Sequence, residues 1–329
     1  MKYIVNESNE ARYNMAFDEY ALQCLPLDEP VFFLWRNAPS VIIGLNQSAY
    51  AEVNLNYLDE QGISLARRVT GGGAVYHDLQ NLNYTIAGKS SDLASDYPDY
   101  LHYVVNALRE LGVPAELSGR NDIMVEGRKC SGFAKRVYKD RLMIHGTLMF
   151  DVDFEKLRKA LSVPGSKLEA SGVASVRSKV ANLKEYLPQF DDILQFRDAL
   201  HKILAAGDGE LVLDASQLAQ IEAEANEKFR TWDWVYGRSP EAAFRASRKF
   251  ACGTVEVFWS VVHGQLCNIS FGGDFLGNLA PEGIAARLDG VRFEREHILR
   301  ALSDGNGPSV QDCFDSLTAE ELADLLTVA

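Results

Sequence analysis

Residues 67–78 read Arg-Arg-Val-Thr-Gly-Gly-Gly-Ala-Val-Tyr-His-Asp and combine two cations with three consecutive glycines. Glycine adopts backbone conformations that other residues avoid, and it lets a ligand approach the main chain closely. Exposed N–H groups in such a loop can bind phosphate or carboxylate oxygens, and the fork of an arginine side chain fits phosphate. The stretch predicts a loop that holds an anionic ligand. A glycine-rich turn flanked by surface charge is the simpler alternative.

A lysine beside a predicted hairpin is the second candidate. Two short apolar runs, residues 123–126 and 128–130, flank Gly127, which is typical of a hairpin. Lys129 lies between this turn and a Ser-Gly pair, from where its ammonium could reach into a cleft as a point charge. A lysine that is simply solvated fits the spacing equally well.

Asn121 and Asp122, just before that hairpin, are candidate oxygen ligands. Magnesium prefers oxygen donors and keeps much of its water, so the two side chains could hold a metal ion that is bound to phosphate. Both residue types are also common in turns. Asp122 is the one residue that we predict to contact a metal ion, and the ion would be held there through the phosphate.

Two histidines and one cysteine complete the chemical candidates. His145 lies among apolar neighbours and is followed by Gly146, which suggests close approach of another group to the backbone. His77 is similarly ambiguous between a site residue and a core residue. Cys130 is next to Lys129, which could lower the pKa of its thiol; a structural cysteine is the competing interpretation.

An apolar slot with a polar mouth is predicted near Trp35. Residues 41–44, Val-Ile-Ile-Gly, follow Trp35-Arg-Asn closely, and polar amides come next. Such a set could line a ligand pocket. Taken alone, the same residues fit a plain core hairpin with a turn.

The composition excludes several classes of protein. The 329 residues are 47% hydrophobic and 24% charged, as in an ordinary soluble protein of two or three domains. A formal net charge of −13 argues against a general nucleic-acid binder. The five cysteines are scattered and form no CxxC pair, which fits a reducing cytoplasm. We find neither a signal-peptide core nor an apolar run of membrane-spanning length.

Hydrophobic periodicity places these motifs on a mixed framework. It predicts strands at 31–35, 40–44, 73–76, 83–87, 123–126, 128–130, 142–150, 253–262 and 265–270. It predicts helices at 11–24, 98–111 (ending at Gly112), 154–161, 294–302 and 319–326. Many strands are joined by short turns, so we expect an α/β protein of the α+β type with a mostly antiparallel sheet. A domain boundary is expected within the arginine-rich stretch 238–249.

Together these motifs resemble those of the lipoate-protein ligase A family. Residues 67–78, Ser-Gly-Arg-Asn-Asp at 118–122, Arg-Lys-Cys-Ser-Gly at 128–132 and His-Gly-Thr-Leu at 145–148 occur in that family's order and at similar spacing. Trp-Arg-Asn at 35–37, Ser-Val-Arg-Ser at 175–178 and Thr-Trp-Asp-Trp-Val-Tyr-Gly at 231–237 match as well. The resemblance covers nearly the whole chain. Its departures, at Val69, Thr70, Cys130 and Phe133, weaken what the resemblance implies about fine substrate preference more than what it implies about the reaction.

The resemblance implies a biotin-ligase-like catalytic domain over residues 1–243 and a small α/β C-terminal domain over 250–329. It implies that lipoate and MgATP give lipoyl-AMP, and that the lipoyl group then passes to a lysine of an apo lipoyl domain. The implied carriers are E2 subunits of 2-oxoacid dehydrogenases and the glycine-cleavage H protein. A cytoplasmic monomer is the family-like expectation.

Site residues follow from the same resemblance, position by position. The catalytic residue is Lys129. The residues expected to bind ATP or the adenylate are Arg68, Gly71, Gly72, Gly73, Ala74, Val75, Tyr76, Asn121, Asp122 and Lys129. Those expected to form the lipoate pocket are Trp35, Gly44, Arg68, His77, Lys129, His145 and Gly146.

Three rivals remain at this point. The first is an ATP-independent octanoyl or lipoyl acyltransferase that would use Cys130 as its nucleophile. The others are a biotin ligase and a non-catalytic lipoate or nucleotide binder. Separately, the acidic composition suggests that an acidic carrier would dock on a locally basic face, for which Arg136, Lys139 and Arg141 are candidates.

Overall fold

The computed structural model describes residues 1–89, 99–118, 122–161, 180–205, 209–239, 242–273, 275, 278–279 and 281–327. Asn121 and the matched segment 175–178 lie outside the described residues. The described chain divides into two compact units. Among the described residues, one unit draws on those within 1–45, 61–161 and 180–231, and the other on those within 46–60 and 232–327.

The strands are numbered in chain order. They are β1 (Lys2–Tyr3), β2 (Val31–Trp35), β3 (Ser40–Ile43), β4 (Ser64–Arg67), β5 (Val75–His77), β6 (Asn81–Lys89), β7 (Ala115–Ser118), β8 (Asp122–Val125), β9 (Arg128–Tyr138), β10 (Arg141–Met149), β11 (Ala242–Phe250), β12 (Gly253–Val262) and β13 (Gln265–Gly273).

The α-helices are numbered in the same way. They are α1 (Ala11–Gln23), α2 (Ala49–Glu52), α3 (Leu55–Gln61), α4 (Asp99–Glu110), α5 (Phe154–Ala160), α6 (Ile193–Ala205), α7 (Ala215–Glu224), α8 (Glu282–Leu288), α9 (Arg295–Ser303), α10 (Val310–Phe314) and α11 (Ala319–Thr327). Among the described residues, these helices are all too short or too polar to cross a membrane.

Two sheets build the first unit. The large sheet has the order β1-β2-β6-β10-β9-β8-β7 and is antiparallel except for the β1–β2 pair. The small sheet has the order β4-β3-β5, with β3 parallel to β4 and antiparallel to β5. The expectation of a mixed, mostly antiparallel sheet with flanking helices is therefore confirmed.

One face of the large sheet carries the hydrophobic core of this unit. Leu101, Val104 and Leu108 give α4 an apolar stripe with helical spacing, and all three are fully buried. They pack in one cluster with α6 and with Tyr84 and Ile86 of β6. Because side chains alternate along a strand, the residues between these positions on β6 point to the opposite face.

Helix α1 is associated with that opposite face. Asp18 of α1 accepts a hydrogen bond from the hydroxyl of Thr85, which lies between Tyr84 and Ile86 on β6. The helix is buried nearly all round, including Asn14, Asp18 and Glu19. Polar side chains are rarely buried in this way unless they are hydrogen-bonded. Helix α1 therefore places polar groups in the interior, where Asp18 has a partner on the sheet.

The second unit has its own sheet and core. Strands β11, β12 and β13 form an antiparallel sheet in that order. The alternating residues Val255, Val257, Trp259 and Val261 of β12 are buried in a cluster with α8, α9 and α11. His263 and Gly264 adopt positive φ values of 49° and 74° in the turn between β12 and β13, as a tight hairpin connection requires.

Several local expectations are corrected by the structure. Strands β2 and β3 both form, yet they belong to different sheets and do not make a hairpin. Strand β5 begins at Val75 rather than Gly73, because the carbonyls of Gly71 and Gly73 are bound by Arg68. The boundary expected within 238–249 stays a prediction; from residue 242 onward this stretch is strand, paired with β12. The division into 1–243 and 250–329 stays a prediction.

Candidate functional site

The glycine loop is built around the buried guanidinium of Arg68. Arg68 is 6% exposed. Its Nη2 donates to the carbonyls of Gly71 and Gly73 at 2.6 and 2.9 Å, its Nη1 to Ile42 at 3.1 Å, and its Nε to the hydroxyl of Thr70 at 3.0 Å. Burial lowers the pKa of Arg68 to about 10, so the side chain remains charged near neutral pH. Arg68 thus fixes the loop through its carbonyls.

Arg67 supports the same region from the preceding position. It is fully buried, and its Nη1 donates to the carbonyls of Gly44 and Leu45 at 3.1 and 3.2 Å. The backbone continues this link, since the amide of Leu45 donates to the carbonyl of Thr70 at 2.8 Å. The two arginines are therefore internal cations bound to backbone carbonyls, and the simpler interpretation of exposed flanking charge is wrong.

Gly44 is required by a close approach of the loop. A Cβ atom at this position would lie 2.1 Å from the carbonyl oxygen of Gly72 and 3.2 Å from Nη2 of Arg68. Gly72 itself has a φ of +95°, which L side chains rarely adopt. The end of β3 and the glycine loop consequently touch backbone to backbone.

Thr70 connects the loop to the large sheet through a buried histidine. Nε2 of His145, on β10, lies 2.7 Å from the hydroxyl of Thr70, and Nδ1 lies 2.6 Å from a carboxylate oxygen of Asp18. Because Arg68 donates to the Thr70 oxygen, the Thr70 proton is available for His145 Nε2. Both ring nitrogens of His145 are thus hydrogen-bonded in the interior, one to the loop and one to α1.

The same network continues to Trp35. The indole N–H of Trp35 donates to the hydroxyl of Thr85 at 2.9 Å, and that hydroxyl donates to Asp18 at 2.6 Å. Asp18 is 1% exposed, and its carboxylate accepts hydrogen bonds from Thr85 and His145 in the interior. Buried polar networks that are fully satisfied hold their members in one arrangement, so Trp35, His145 and the loop are positioned together.

His77 is a neutral, enclosed side chain. Burial lowers its pKa to about 3, and the charge of Arg68 adds to this shift. Nδ1 accepts a hydrogen bond from the amide of Asn37 at 3.0 Å, which leaves the proton on Nε2. The ring lies edge-to-face with Trp35 at 6.2 Å between centroids. So weak a base is poorly matched to proton abstraction near neutral pH, and the geometry favours a role in shaping the site.

Lys129 forms an ion pair with Asp122 across the predicted hairpin. Nζ lies 2.7 Å from Oδ1, and the two side chains are 21% and 32% exposed. The turn is confirmed: Glu126 and Gly127 both have positive φ, 50° and 72°, as a two-residue hairpin turn prefers. The main chain at Lys129 is further held by the amide of Ala181, which donates to its carbonyl at 2.9 Å.

Arg136 ties the strand of Lys129 to the glycine loop. Lys129 and Arg136 both lie on β9, and Nη1 of Arg136 donates to the carbonyl of Val69. The loop is therefore bonded to β9 by Arg136 and to the neighbouring strand β10 through the Thr70–His145 contact. These contacts fix the loop to β10 and to the strand that also carries Lys129, seven residues from Arg136.

Of the three cations suggested for carrier docking, Arg136 and Arg141 bind backbone carbonyls of the protein and Lys139 is exposed. Arg136 binds the loop carbonyl, and Nη1 of Arg141 donates to the carbonyls of Leu22 and Leu25 at the end of α1. Lys139 is exposed, with its ammonium 5.1 Å from the ring centroid of Tyr138. Docking on this basic set stays a prediction, in which Lys139 is the most accessible of the three.

Cys130 is a core residue. It is fully buried in the cluster beneath the large sheet, and its thiol donates to the carbonyl of Ile123 at 3.3 Å. Burial raises its pKa to about 12, so the thiol is protonated near neutral pH. The structural interpretation of Cys130 is favoured.

The candidate metal ligand Asp122 is already bound to another cation. Its carboxylate is occupied by the ammonium of Lys129. Within the described residues, no group of three or more His, Cys, Asp or Glu side chains is placed to hold a metal ion. This donor set does not fit a metal held by a protein cage; it leaves room only for an ion carried mainly by phosphate oxygens and water.

Asp18, Thr85 and Arg136 take part in the site but were not predicted as site residues. The sequence did contain a signal for Asp18. Asn14 and Asp18 are four residues apart on α1, so they share one face of a helix that also has an apolar stripe. Two polar residues on one face of such a helix indicate an internal contact. For Thr85 and Arg136, the partner depends on strand pairing, which the local sequence does not contain.

Comparison with known proteins places the chain in a class. The family described as "Lipoyl protein ligase A/B catalytic domain" matches residues 10–205, and "Bacterial lipoate protein ligase C-terminus" matches residues 239–326. The chain is 37% identical to lipoate-protein ligase LplJ of Bacillus subtilis, over 99% of this chain and 100% of that protein. It is 38% identical to lipoate-protein ligase 1 of Staphylococcus aureus, over 92% and 94%.

Solved structures agree. The bipartite lipoate protein ligase of Thermoplasma acidophilum, studied with its E2 lipoyl domain, is 30% identical and superposes with a TM-score of 0.63, over 72% of this chain and 96% of that chain. A lipoate-protein ligase A bound with ATP is 29% identical, with a TM-score of 0.60 over 72% and 98%. A T. acidophilum ligase with bound lipoic acid is 27% identical, with a TM-score of 0.61 over 72% and 98%.

The fold and the family profiles define the class as lipoyl protein ligases. The chain belongs to the lipoate-protein ligase family, with both the catalytic domain and the C-terminal domain of the bacterial enzymes. The resemblance seen in the sequence motifs is thereby confirmed, as is the assignment of the chain as a ligase.

Proposed function

We propose that the protein activates lipoate with ATP to lipoyl-AMP and transfers the lipoyl group to a lysine of an apo lipoyl domain. The observation that carries this proposal is the bonding of the glycine loop to the strand of Lys129 through Arg136 and Val69. We propose that Lys129, seven residues from Arg136 along β9, completes the site of which the backbone N–H groups of the loop form the other part. Family membership and the ATP- and lipoate-bound relatives support it.

ATP binding is proposed for the glycine loop and the start of β5. Gly71 and Gly72 are exposed and Gly73 is half-buried, so their amides are accessible to phosphate oxygens. Ala74, Val75 and Tyr76 continue from the loop into the small sheet. Arg68 acts here by holding the loop carbonyls inward, and a direct contact of Arg68 with phosphate stays a prediction. Asn121 is kept as a proposed ATP-binding residue on resemblance alone.

Lipoate binding is proposed at the buried network. Trp35, His77 and His145 present apolar ring surface while their polar atoms bind Thr85, Asn37 and Asp18. Gly146 lets the ring of Tyr84 pack beneath it, since a Cβ there would lie 2.4 Å from the tyrosine oxygen. Gly44, which has no side chain, lets the end of β3 contact the backbone of the loop. An acyl chain needs this combination of fixed apolar walls and few polar groups.

Lys129 is proposed to stabilise the charges of both steps. In the first step the lipoate carboxylate attacks the α-phosphorus of ATP, and pyrophosphate leaves. Attack of one anion on another needs neutralisation and alignment rather than covalent participation of the protein. An ammonium near the carboxylate and α-phosphate meets that need. In the second step the same ammonium stabilises the carbonyl oxygen of the mixed anhydride as negative charge develops there.

The acceptor is proposed to be an apo lipoyl domain, as in the E2 subunits of 2-oxoacid dehydrogenases or the glycine-cleavage H protein. A structural relative is named together with an E2 lipoyl domain. Magnesium is proposed to enter with ATP, because the described carboxylates form no cage for it. A cytoplasmic location and a monomeric state belong to the same proposal.

The proposal is tested with purified protein, lipoate, ATP, magnesium and an apo lipoyl domain. We expect pyrophosphate release, and a carrier whose mass increases by one lipoyl group only when all components are present. Chelation of magnesium by EDTA should abolish both, because the triphosphate charge is then unshielded. Lipoate binding without ATP turnover would indicate a non-catalytic binder. Turnover with biotin in preference to lipoate would indicate a biotin ligase.

Replacing Cys130 by Ser should leave ATP-dependent ligation within about threefold of wild type. The thiol is buried, its pKa is raised to about 12, and its hydrogen bond to Ile123 can be kept by a hydroxyl. Rates are compared at equal folded fraction, since the change affects a core position. Loss of carrier modification in this variant, together with modification of the carrier by wild-type protein without ATP, would instead support an acyltransferase.

A further inference from the structure

We propose that Arg128 is a positioning residue for the reaction, which holds the backbone of Lys129 in place by bonding its hairpin to the 3₁₀ turn Leu183–Tyr186. The inference rests on the proposed function, because it takes Lys129 as the group that stabilises the reacting charges. Adjacent side chains of a strand point to opposite faces. Arg128 therefore lies on the other face of β9 from Lys129 and acts on it through the backbone.

The large sheet constrains β9 only weakly at Lys129. The pairing of β9 with β10 stops at Phe133, so the first part of β9 extends beyond β10. On the other side, the register with β8 shifts between Ser131 and Lys129, which makes Cys130 the extra residue of a bulge. Bulges disrupt the ladder locally and change the direction of nearby side chains. The direction of Lys129 therefore depends on contacts from outside the ladder.

Arg128 supplies such a contact at the hairpin turn. Its Nη2 donates to a carboxylate oxygen of Glu185 at 2.7 Å and to the hydroxyl of Tyr186 at 2.6 Å. That hydroxyl donates in turn to Glu126, in the turn itself, at 3.0 Å. The guanidinium also lies 5.7 Å from the ring centroid of Tyr186. Hydrogen bonds from a charged donor to a carboxylate are strong and directional, so these contacts bind both sides of the turn to residues 185–186.

The segment that receives these bonds is itself fixed to the large sheet. Leu183 is fully buried in the core cluster of that sheet, and the amide of Lys184 donates to the carbonyl of Phe150 at 3.0 Å. The side chain of Asn182 donates to the carbonyl of Val152 and accepts from its amide, at 3.1 and 3.0 Å. A bond from Arg128 to this segment consequently fixes the hairpin relative to the sheet.

The same segment also contacts the backbone of Lys129 directly. Val180 forms a parallel bridge with Lys129, and the amide of Ala181 donates to the Lys129 carbonyl at 2.9 Å. Loss of the Arg128 side chain leaves these backbone contacts in place. We therefore expect a small displacement of the Lys129 ammonium rather than loss of the hairpin.

Such a displacement should affect the rate much more than the stability. A shift of about 1 Å in a reacting group can cost about 10²-fold in rate. The side chains of Arg128 and Glu185 are 34% and 49% exposed, and exposed ion pairs contribute little to the free energy of unfolding. Arg128→Ala should therefore change the melting temperature by less than about 3 °C.

The test measures lipoate-dependent ATP–pyrophosphate exchange for Arg128→Ala in two backgrounds, wild type and Lys129→Ala. In the wild-type background we expect the maximal rate to fall about 10-fold, less than the cost of a full 1 Å shift, and KM for lipoate to stay within about twofold. In the Lys129→Ala background the same change should lower the rate by less than about twofold, because no ammonium remains to be positioned. Arg128→Lys, which keeps the charge but not the planar fork, should recover part of the rate.

Glu185→Gln tests the same link from the other side and leaves Arg128 intact. It should reproduce the pattern in both backgrounds, and it decides the question if Arg128→Ala does not fold. Arg158→Ala is the matched control, because Arg158 forms an exposed ion pair with Glu155 on α5 at 2.9 Å, and this variant should exchange at the wild-type rate.

An equal fold-loss in both backgrounds would show a general structural role for Arg128 and overturn the proposal. An unchanged rate in the wild-type background would overturn it as well. Absence of lipoate-dependent exchange in the wild-type protein would contradict the proposed function instead, so the two failures are distinguishable.

Discussion

We expect that replacing Lys129 by Ala will lower the rate of lipoate-dependent ATP–pyrophosphate exchange by about 10²–10³-fold, the loss typical of removing one group that stabilises developing charge. The ammonium is carried by β9, the strand to which Arg136 bonds the glycine loop. Without it, the lipoate carboxylate approaches the α-phosphate with one fewer positive charge. The effect should lie mainly in the maximal rate rather than in the apparent affinity for lipoate.

The fold should survive this change. Lys129 is partly exposed, and its ion pair with Asp122 is of the kind that contributes at most about 1 kcal/mol to the free energy of unfolding. Lys139→Ala is the matched control, because Lys139 is an exposed lysine near the end of the same strand. Thermal unfolding of all three proteins should agree closely. An exchange rate for Lys129→Ala near that of wild type would remove Lys129 from the mechanism.

The sequence predicts the local elements well where the chain itself determines them. The hairpin before Lys129 is predicted from Gly127 between two apolar runs, and the structure places its turn there with positive φ at Glu126 and Gly127. Helix α4 is predicted from its apolar stripe and ends before Gly112, whose φ is +97°. Periodicity and turn chemistry are properties of neighbouring residues, so they can be read locally.

Properties that depend on distant partners could not be predicted in this way. The motif suggested that Arg68 would face a ligand, but its donors bind carbonyls of Ile42, Gly71 and Gly73. Whether an arginine points outward or inward depends on which strand lies beside it. Likewise β2 and β3 are adjacent in sequence yet join different sheets, because β2 pairs with β6 and β3 with β4 and β5. Strand pairing is a global choice.

The glycine loop held by the two buried arginines also leaves no room for a side chain at position 44, and we expect Gly44→Ala to displace the loop. The added methyl would lie 2.1 Å from the carbonyl oxygen of Gly72, a backbone atom that cannot rotate away. Arg68 holds the carbonyls of Gly71 and Gly73 on either side, so relief requires the whole loop or the end of β3 to move. Overpacking of this kind costs about 1–3 kcal/mol of the free energy of unfolding.

The effect on activity should exceed the effect on stability. Displacing phosphate-binding amides by about 1 Å can cost about 10²-fold in rate, so we expect ATP–pyrophosphate exchange to fall by that order while most of the protein remains folded. Gly209→Ala is the control, because a Cβ added at Gly209 would meet no heavy atom within 4 Å, and this variant should match wild type in unfolding and exchange. Wild-type exchange by Gly44→Ala would mean that the loop tolerates displacement, and the adenylate would then be held chiefly by Lys129 and the sheet rather than by the glycine amides.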